Sequence, residues 1–368
     1  MINKSYLYAC VLAGFTGSSY ADFSALDQQV KFFDSWVVAC NNQRECSINS
    51  LPPKATSVKP ATAENAESPE QLGFYLALEL KGLADNSIKL SVQDWSDEGG
   101  DFEEGESLNL TIDKQTFQLG KLKAKQVSDA AFAIPSEKTS EILAALQIGK
   151  QLEVKVGDSV LPVSLQGFTS SLQYIDEQQQ RVDTPSALVK KNDKPFTAKP
   201  LALETLKPIR LKRVEEISVE KRNKIQEVIH QLTSTQACLA KAGNEDPFSD
   251  VIEVLDKDHY LIGIKCTADD FNRQSLMLVA PKDKPEQAEL AQFDQGVDDA
   301  LLLGDYPAYT ASDGSLLSHY RKSDLGDCGS TAEWIWNGSQ FVLSRYDTMP
   351  ECRGLLTAMN VWKLKVDR

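Results

Sequence analysis

Seven cysteines constrain this chain more than any other feature. Cys10 falls in the first 21 residues, and the other six, Cys40, Cys46, Cys238, Cys266, Cys328 and Cys352, form an even set. Fifteen connectivities are open to six cysteines. The simplest pairs sequence neighbours: Cys40 with Cys46, Cys238 with Cys266, and Cys328 with Cys352. Those closures would stabilise by about 2.4, 3.6 and 3.5 kcal/mol on loop entropy. The competing chemistry is a metal site, but spacings of 6, 28 and 24, with no C-x-x-C and three histidines in all, suit zinc badly. The expectation is a disulfide-stapled protein of an oxidising compartment, with no metal or cofactor.

The N-terminus agrees with export. Lys4 precedes an apolar run from Tyr6 to Phe15 broken only by Gly14, and Ser19-Tyr20-Ala21 puts small residues at the cleavage positions. Leu7-Tyr8-Ala9-Cys10 looks like a lipoprotein box, but the better hydrophobic stretch follows it. Cleavage near Ala21-Asp22 would release 347 residues into the periplasm or the medium. The leader is far shorter than the roughly 20 residues of a membrane span. No second long apolar segment follows, so no stable membrane anchor is expected. The whole chain carries 39 Lys and Arg against 53 Asp and Glu, and loses one Lys with the leader, leaving −15. Neither nucleic acid nor an anionic membrane surface is expected as a general partner for such a balance of charge.

Residues 22–183 read as an N-terminal β-rich domain. Phe74–Leu80, Ile88–Val92 and Leu108–Ile112 alternate at the period of a strand, and Asp113-Lys114 and Gly157-Asp158 sit where hairpin turns belong. Ser136 to Leu146 places Ile142, Leu143 and Leu146 on one helical face and ends at Gly149. Two insertions interrupt this pattern. Residues 51–71 hold four prolines and read as a mobile loop, and 94–106 holds seven acids and no base. The second matches an EF-hand only partly, since Gly99 falls at position six but Gly105 stands where the twelfth position needs Glu.

The stretch 184–211 contains Pro185, Pro195, Pro200 and Pro208 without periodicity and reads as a basic linker. Residues 181–224 hold twelve Lys or Arg against six acids, so a basic connector joins two acidic bodies and is expected to be drawn onto their surfaces; the alternative is that it touches lipid headgroups or an acidic polymer. Residues 212–368 read as a C-terminal α+β domain. A helix is expected from Val214 to Leu232, with Val214, Ile217, Ile225, Val228, Ile229 and Leu232 as its stripe. Later, Asn337-Gly338 between Trp334-x-Trp336 and Phe341-x-Leu343 predicts a tight turn with two residues at φ > 0. Trp334 and Trp336 share one face, as sheet core or as a stacking surface for a ligand. The fold class is therefore mainly β (α+β), two antiparallel-sheet domains with few helices.

Catalytic signatures are scarce. No G-x-S-x-G elbow, phosphate loop or dinucleotide fingerprint occurs. Of the histidines, His230 lies on the expected helix, His319 beside Tyr320, and His259 next to Asp258, which points to the opposite strand face. Paired carboxylates of an envelope hydrolase could come from Asp258, Asp269, Asp270 or Asp327.

Leu325-Gly326-Asp327-Cys328-Gly329, Trp334-x-Trp336-x-Gly338-x-x-Phe341 and Met349-Pro350-x-Cys352-Arg353-Gly354 together resemble the bacterial domain-of-unknown-function family 1176. Phe33-Asp34-x-Trp36-x-Val38-x-Cys40-Asn41-Asn42 with Cys46 resembles its opening. Tyr174-Ile175-Asp176-Glu177-Gln178 with Arg181 and Ala187-Leu188-Val189 resembles its centre. Cys266 before Phe271-Asn272 resembles a third block, although Thr267-Ala268-Asp269-Asp270 departs from it. Trp36 to Cys40 and Ser164-Leu165-x-Gly167-Phe168 are also similar to invasion-associated locus B proteins. The resemblance implies an exported bacterial protein with structural disulfides and no assigned reaction. From charge, the expected function is non-enzymatic binding of a protein or peptide partner, favouring basic ones. The alternatives are an envelope hydrolase and a structural envelope component without a ligand.

Overall fold

The computed structural model describes residues 23–52, 73–81, 87–94, 102–199, 201, 205–242, 250–268, 271–298, 300–304 and 307–367. The expected leader, nearly all of the 51–71 loop and most of the acidic 94–106 stretch lie outside them. Leu51 is an exception. Its N–H bonds to the Ser35 carbonyl and its side chain is 1% exposed, so the first residue of the expected loop is core.

Successive side chains of the N-terminal strands enter two different cores, so both strand faces are buried. Six strands run in an antiparallel sheet in the order Lys31–Phe33, Trp36–Cys40, Cys46–Ser50, Phe74–Leu80, Ile88–Asp94, Ala131–Ala133. Trp36, Val38, Phe74, Leu76 and Leu78 point into the N-terminal body's own core. Their odd-numbered neighbours Val37, Ala39, Tyr75 and Ala77 point the other way, into a core shared with the C-terminal body. A strand buried on both faces is apolar throughout. A second antiparallel sheet, ordered Ser159–Ser164, Gln151–Val156, Ser107–Ile112, Gln115–Lys121, shares the first core with helices Ser136–Ile148 and Phe168–Gln178. Both expected hairpins form, with Asp113 at φ 52° and Gly157 at φ 56° supplying the left-handed turn positions.

The C-terminal body holds two more antiparallel sheets. One contains Val251–Val254, His259–Ala268, Arg273–Pro281, Glu289–Leu290 and Leu301–Gly304, and the other Ala308–Thr310, Ser315–Arg321, Gly329–Trp336, Phe341–Met349 and Met359–Lys363. Two expectations change here. The helix starts at Val219 rather than Val214, because the Ser218 side chain accepts the Lys221 N–H and caps it. Val214 is left outside and exposed, and the helix ends at Ile229, with Thr233–Ala242 as a second one. The Trp336–Phe341 turn has four residues, of which only Gly338 has φ > 0; the Asn337 carbonyl oxygen Oδ1 instead gathers the N–H groups of Ser339 and Gln340.

All three sequence-local disulfides form, with Cα–Cα distances of 4.0, 4.3 and 4.7 Å. Cys40 and Cys46 face each other across a hairpin, Cys238 ties the Thr233–Ala242 helix to the strand bearing Cys266, and Cys328–Cys352 closes the open end of the Gly329–Trp336 and Phe341–Met349 hairpin, where Gly329 pairs with Met349. The connector is docked at both ends. Leu188 packs into the N-terminal core, while Thr205–Leu206 pairs in parallel with Lys365–Val366. At the other extreme, Phe23, Leu26 and Val30 pack with the C-terminal body, so the expected 22–183 domain gives up its first residues to its neighbour. Polar contacts also join the bodies: Asn41 Nδ2 donates to Asn360 Oδ1 at 2.8 Å and the Lys363 N–H to Asn42 Oδ1 at 2.8 Å.

Candidate functional site

The segment that crosses between bodies builds a cleft. Phe23 leads into the short helix Ser24–Asp27 and stacks on Tyr346, with ring centroids 4.0 Å apart. Gly296, at φ 79°, brings another loop so close that a Cβ there would strike the Phe23 ring. Between them opens a cavity of about 480 Å³, bordered by Asp27, Asp298, Tyr320, Lys322, Trp334 and Tyr346 among others. That size falls in the usual range of small-ligand and side-chain pockets.

Asp27 is the positioned group in this cleft. Its Oδ1 accepts from Tyr346 Oη at 2.9 Å and from Thr348 Oγ1 at 2.8 Å. Burial, reinforced by the charge of Asp27, pushes the Tyr346 phenol far above its ordinary value, so it stays a donor. Oδ2 of Asp27 takes no hydrogen bond from the described residues. One oxygen is therefore locked, and the carboxylate keeps an acceptor for a visitor.

Trp334 and Trp336 are 1% and 3% exposed, which removes them as a stacking surface. Trp334 Nε1 donates to the Gln295 carbonyl and Trp336 Nε1 to Asp256 Oδ2, and both rings pack on aromatic neighbours, Phe293 and Phe341 respectively. Only the border of Trp334 reaches the cleft. Their shared face is the sheet core.

The histidines are spread over separate sites. His230 Nε2 lies 2.6 Å from Asp250, His319 Nδ1 2.7 Å from Thr331 Oγ1, and His259 Nδ1 2.9 Å from Asp256. The carboxylate that partners His259 is thus three residues away and not the adjacent Asp258, which is exposed beside Lys257. Asp327 is engaged on both oxygens, by Ser323 Oγ and the Gly354 N–H, and so braces the loop around Cys328. Asp327, Cys328 and Cys352 converge, but their two sulfurs are bonded to each other and offer no thiolate to a metal. Asp269 and Asp270 lie outside the described residues.

Asp176 explains the central motif. Leu188 N–H and Val189 N–H donate to its carboxylate at 2.9 and 3.1 Å, folding the 181–189 turn onto the Phe168–Gln178 helix. Burial holds its pKa above the ordinary value, and those two N–H groups and the charge of Arg181 offset that rise only in part. Cysteine, glycine, tryptophan and this aspartate all hold the fold. The model of a family described as "Protein of unknown function (DUF1176)" matches residues 30–366. The chain belongs to that family. A relative, the uncharacterised protein YpfG of Escherichia coli strain K12, is 25% identical over 332 residues, covering 87% of this chain and 88% of that protein. The crystal structure of invasion-associated protein B from Bartonella henselae aligns with 41% of this chain and 98% of its own, at 14% identity and a TM-score of 0.27.

Sequence reasoning missed Asp27 and Asp256. Tyr346 and Thr348 lie 319 and 321 residues from Asp27, so no local pattern pointed to it; Asp256 reaches Trp336 across 80 residues, but its bonds to the Asp258 and His259 N–H groups are local, and the Asp-Lys-Asp-His spacing is the signal that could have found it.

Proposed function

We propose that the protein acts in the periplasm or outside the cell as a non-enzymatic binding protein whose partner is basic. The observation that carries this reading is Asp27, a carboxylate held by two hydroxyl donors beside an aromatic-lined cleft, with one oxygen left for a guest. An inserted guanidinium or ammonium would meet that oxygen and lie against the half-buried Tyr320 at the cleft border. The −15 surface would steer a cationic partner toward the molecule. Lys322 at the same cleft disfavours a second cation there, so the cleft suits one basic side chain at a time. The export half of the reading rests on the leader and on three disulfides, which a reducing cytosol would not maintain.

The test is binding of the chain from Asp22 onward to short arginine-rich and glutamate-rich peptides at low and high salt. Asp27→Asn keeps an acceptor for Tyr346 and Thr348, so the fold should survive. The expected result is selective capture of the basic peptide, weakened by salt and by at least about 2 kcal/mol in the variant. Equal capture of both peptides, or binding indifferent to salt and to Asp27→Asn, would reject the reading.

A further inference from the structure

Residues 205–214 read Thr-Leu-Lys-Pro-Ile-Arg-Leu-Lys-Arg-Val, without one acid. The structure pins this run to an edge of the C-terminal body. Thr205–Leu206 pairs with Lys365–Val366, the Ile209 N–H donates to the Trp336 carbonyl at 3.0 Å, and the Leu211 N–H to the Ala311 carbonyl at 3.0 Å. Leu206 is buried and Leu211 half-buried, so the backbone is fixed from beneath. Lys207, Arg210, Lys212, Arg213 and, on the neighbouring strand, Lys365 stay exposed. Among the described residues none of these five cations pairs with a carboxylate side chain; Arg210 donates to the backbone carbonyl of Asp367. Acids outnumber bases in this protein, yet none falls within 205–214: Glu204 precedes the run, Glu215 and Glu216 follow it, and Asp367 meets it through its backbone, its N–H donating to the Leu206 carbonyl. Two aliphatic side chains stand among the cations, Ile209 at 38% and Val214 at 43% exposure.

We infer that this ribbon docks the protein on an anionic membrane surface, with the cations on lipid phosphates and the two aliphatic side chains in the headgroup region. The aliphatics select the occupant. A hydrated polyanion gains nothing from Ile209 and Val214, whereas the interface of a bilayer takes up both charge and apolar surface. The overall negative charge slows the approach to an anionic surface, but once the ribbon is seated the charges more than about 8 Å from the membrane are largely screened at physiological ionic strength and the ribbon's cations prevail. Docking is peripheral and reversible, and among the described residues no helix is long and apolar enough to cross a membrane. The ribbon shares no residue with the Asp27 cleft, so each reading stands or falls separately.

The experiment is co-sedimentation of the chain from Asp22 onward with vesicles of phosphatidylethanolamine and about one-third phosphatidylglycerol, against pure phosphatidylcholine vesicles. The anionic vesicles should carry the protein down and the neutral ones should not. Lys212→Gln with Arg213→Gln should lower the partition coefficient about 25-fold, a factor of about five per charge. Val214→Ser should lower it severalfold without changing its salt dependence. All three side chains are exposed, and unchanged circular dichroism of the variants confirms that folding is not being read. Equal sedimentation with both vesicles, or no response to the charge substitutions, overturns the inference. Capture by soluble polyphosphate without capture by vesicles overturns it as well and assigns the ribbon to a polymer.

Discussion

Replacing Asp256 tests how the C-terminal sheets are joined. This carboxylate follows the Val251–Val254 strand, and Oδ1 accepts the N–H groups of Asp258 and His259, both at 2.8 Å. It also meets His259 Nδ1 at 2.9 Å, and Oδ2 takes Trp336 Nε1 from the second sheet at 3.0 Å. In Asp256→Ala the two turn N–H groups and the histidine can turn to water. Trp336 cannot, being 3% exposed, and stranding its N–H costs about 1–3 kcal/mol. Adding part of the lost charge-assisted bonds in the turn, the total should be about 3 kcal/mol. Equilibrium urea unfolding, followed by tryptophan fluorescence, reads this directly. A double-mutant cycle with Trp336→Phe should show a coupling of about 1–2 kcal/mol. The pH dependence has a definite sign. Burial would raise the Asp256 pKa, but the Asp258 N–H and the His259 and Trp336 side chains outweigh it and hold the group below its ordinary value. Its contribution is therefore complete above the unfolded value near pH 4 and drains away as pH falls through the lower folded one. Asp256→Asn should lack that acid-sensitive component. A total loss below about 1 kcal/mol, or no measurable coupling to Trp336, refutes the account.

Two further outcomes follow from the covalent and backbone constraints. Removing Cys238–Cys266 by double alanine substitution should cost about 3.6 kcal/mol and removing Cys40–Cys46 about 2.4 kcal/mol; denaturation midpoints in the reverse order would defeat the loop-closure explanation. Gly329→Ala should destabilise by more than about 1 kcal/mol and leave free thiols at Cys328 and Cys352 after refolding, because φ is 140° there and a Cβ would strike the Tyr320 carbonyl. A thiol titration showing full oxidation, with an unchanged melting temperature, would refute it.

Several parts of the fold were legible because they are local. Asp113-Lys114 and Gly157-Asp158 carry their turn geometry in two residues, and the Ser136–Ile148 helix announces itself through Ile142, Leu143, Leu146 and Gly149. The helix start was misplaced by five residues because Val214 and Ile217 fit the apolar stripe, while the cap at Ser218 decides where the helix begins. Trp334-x-Trp336 was legible as a face but not as core or surface, since that depends on what lies above the sheet. Phe23 and Phe293, far away in the chain, cover it.

Residues near one another in the chain thus determined the antiparallel strands, the turns and the local disulfide pairing, because φ preferences, period-two burial and short loop closures act over a few residues. Tertiary structure alone decided that Val37, Ala39, Tyr75 and Ala77 face a second body, and that Asp27 meets Tyr346 across 319 residues. It also set the acid-free ribbon at 205–214 against the C-terminal strand. Such contacts depend on how completed sheets stack, and stacking is specified by the sum of many weak burials rather than by any pattern a short window contains.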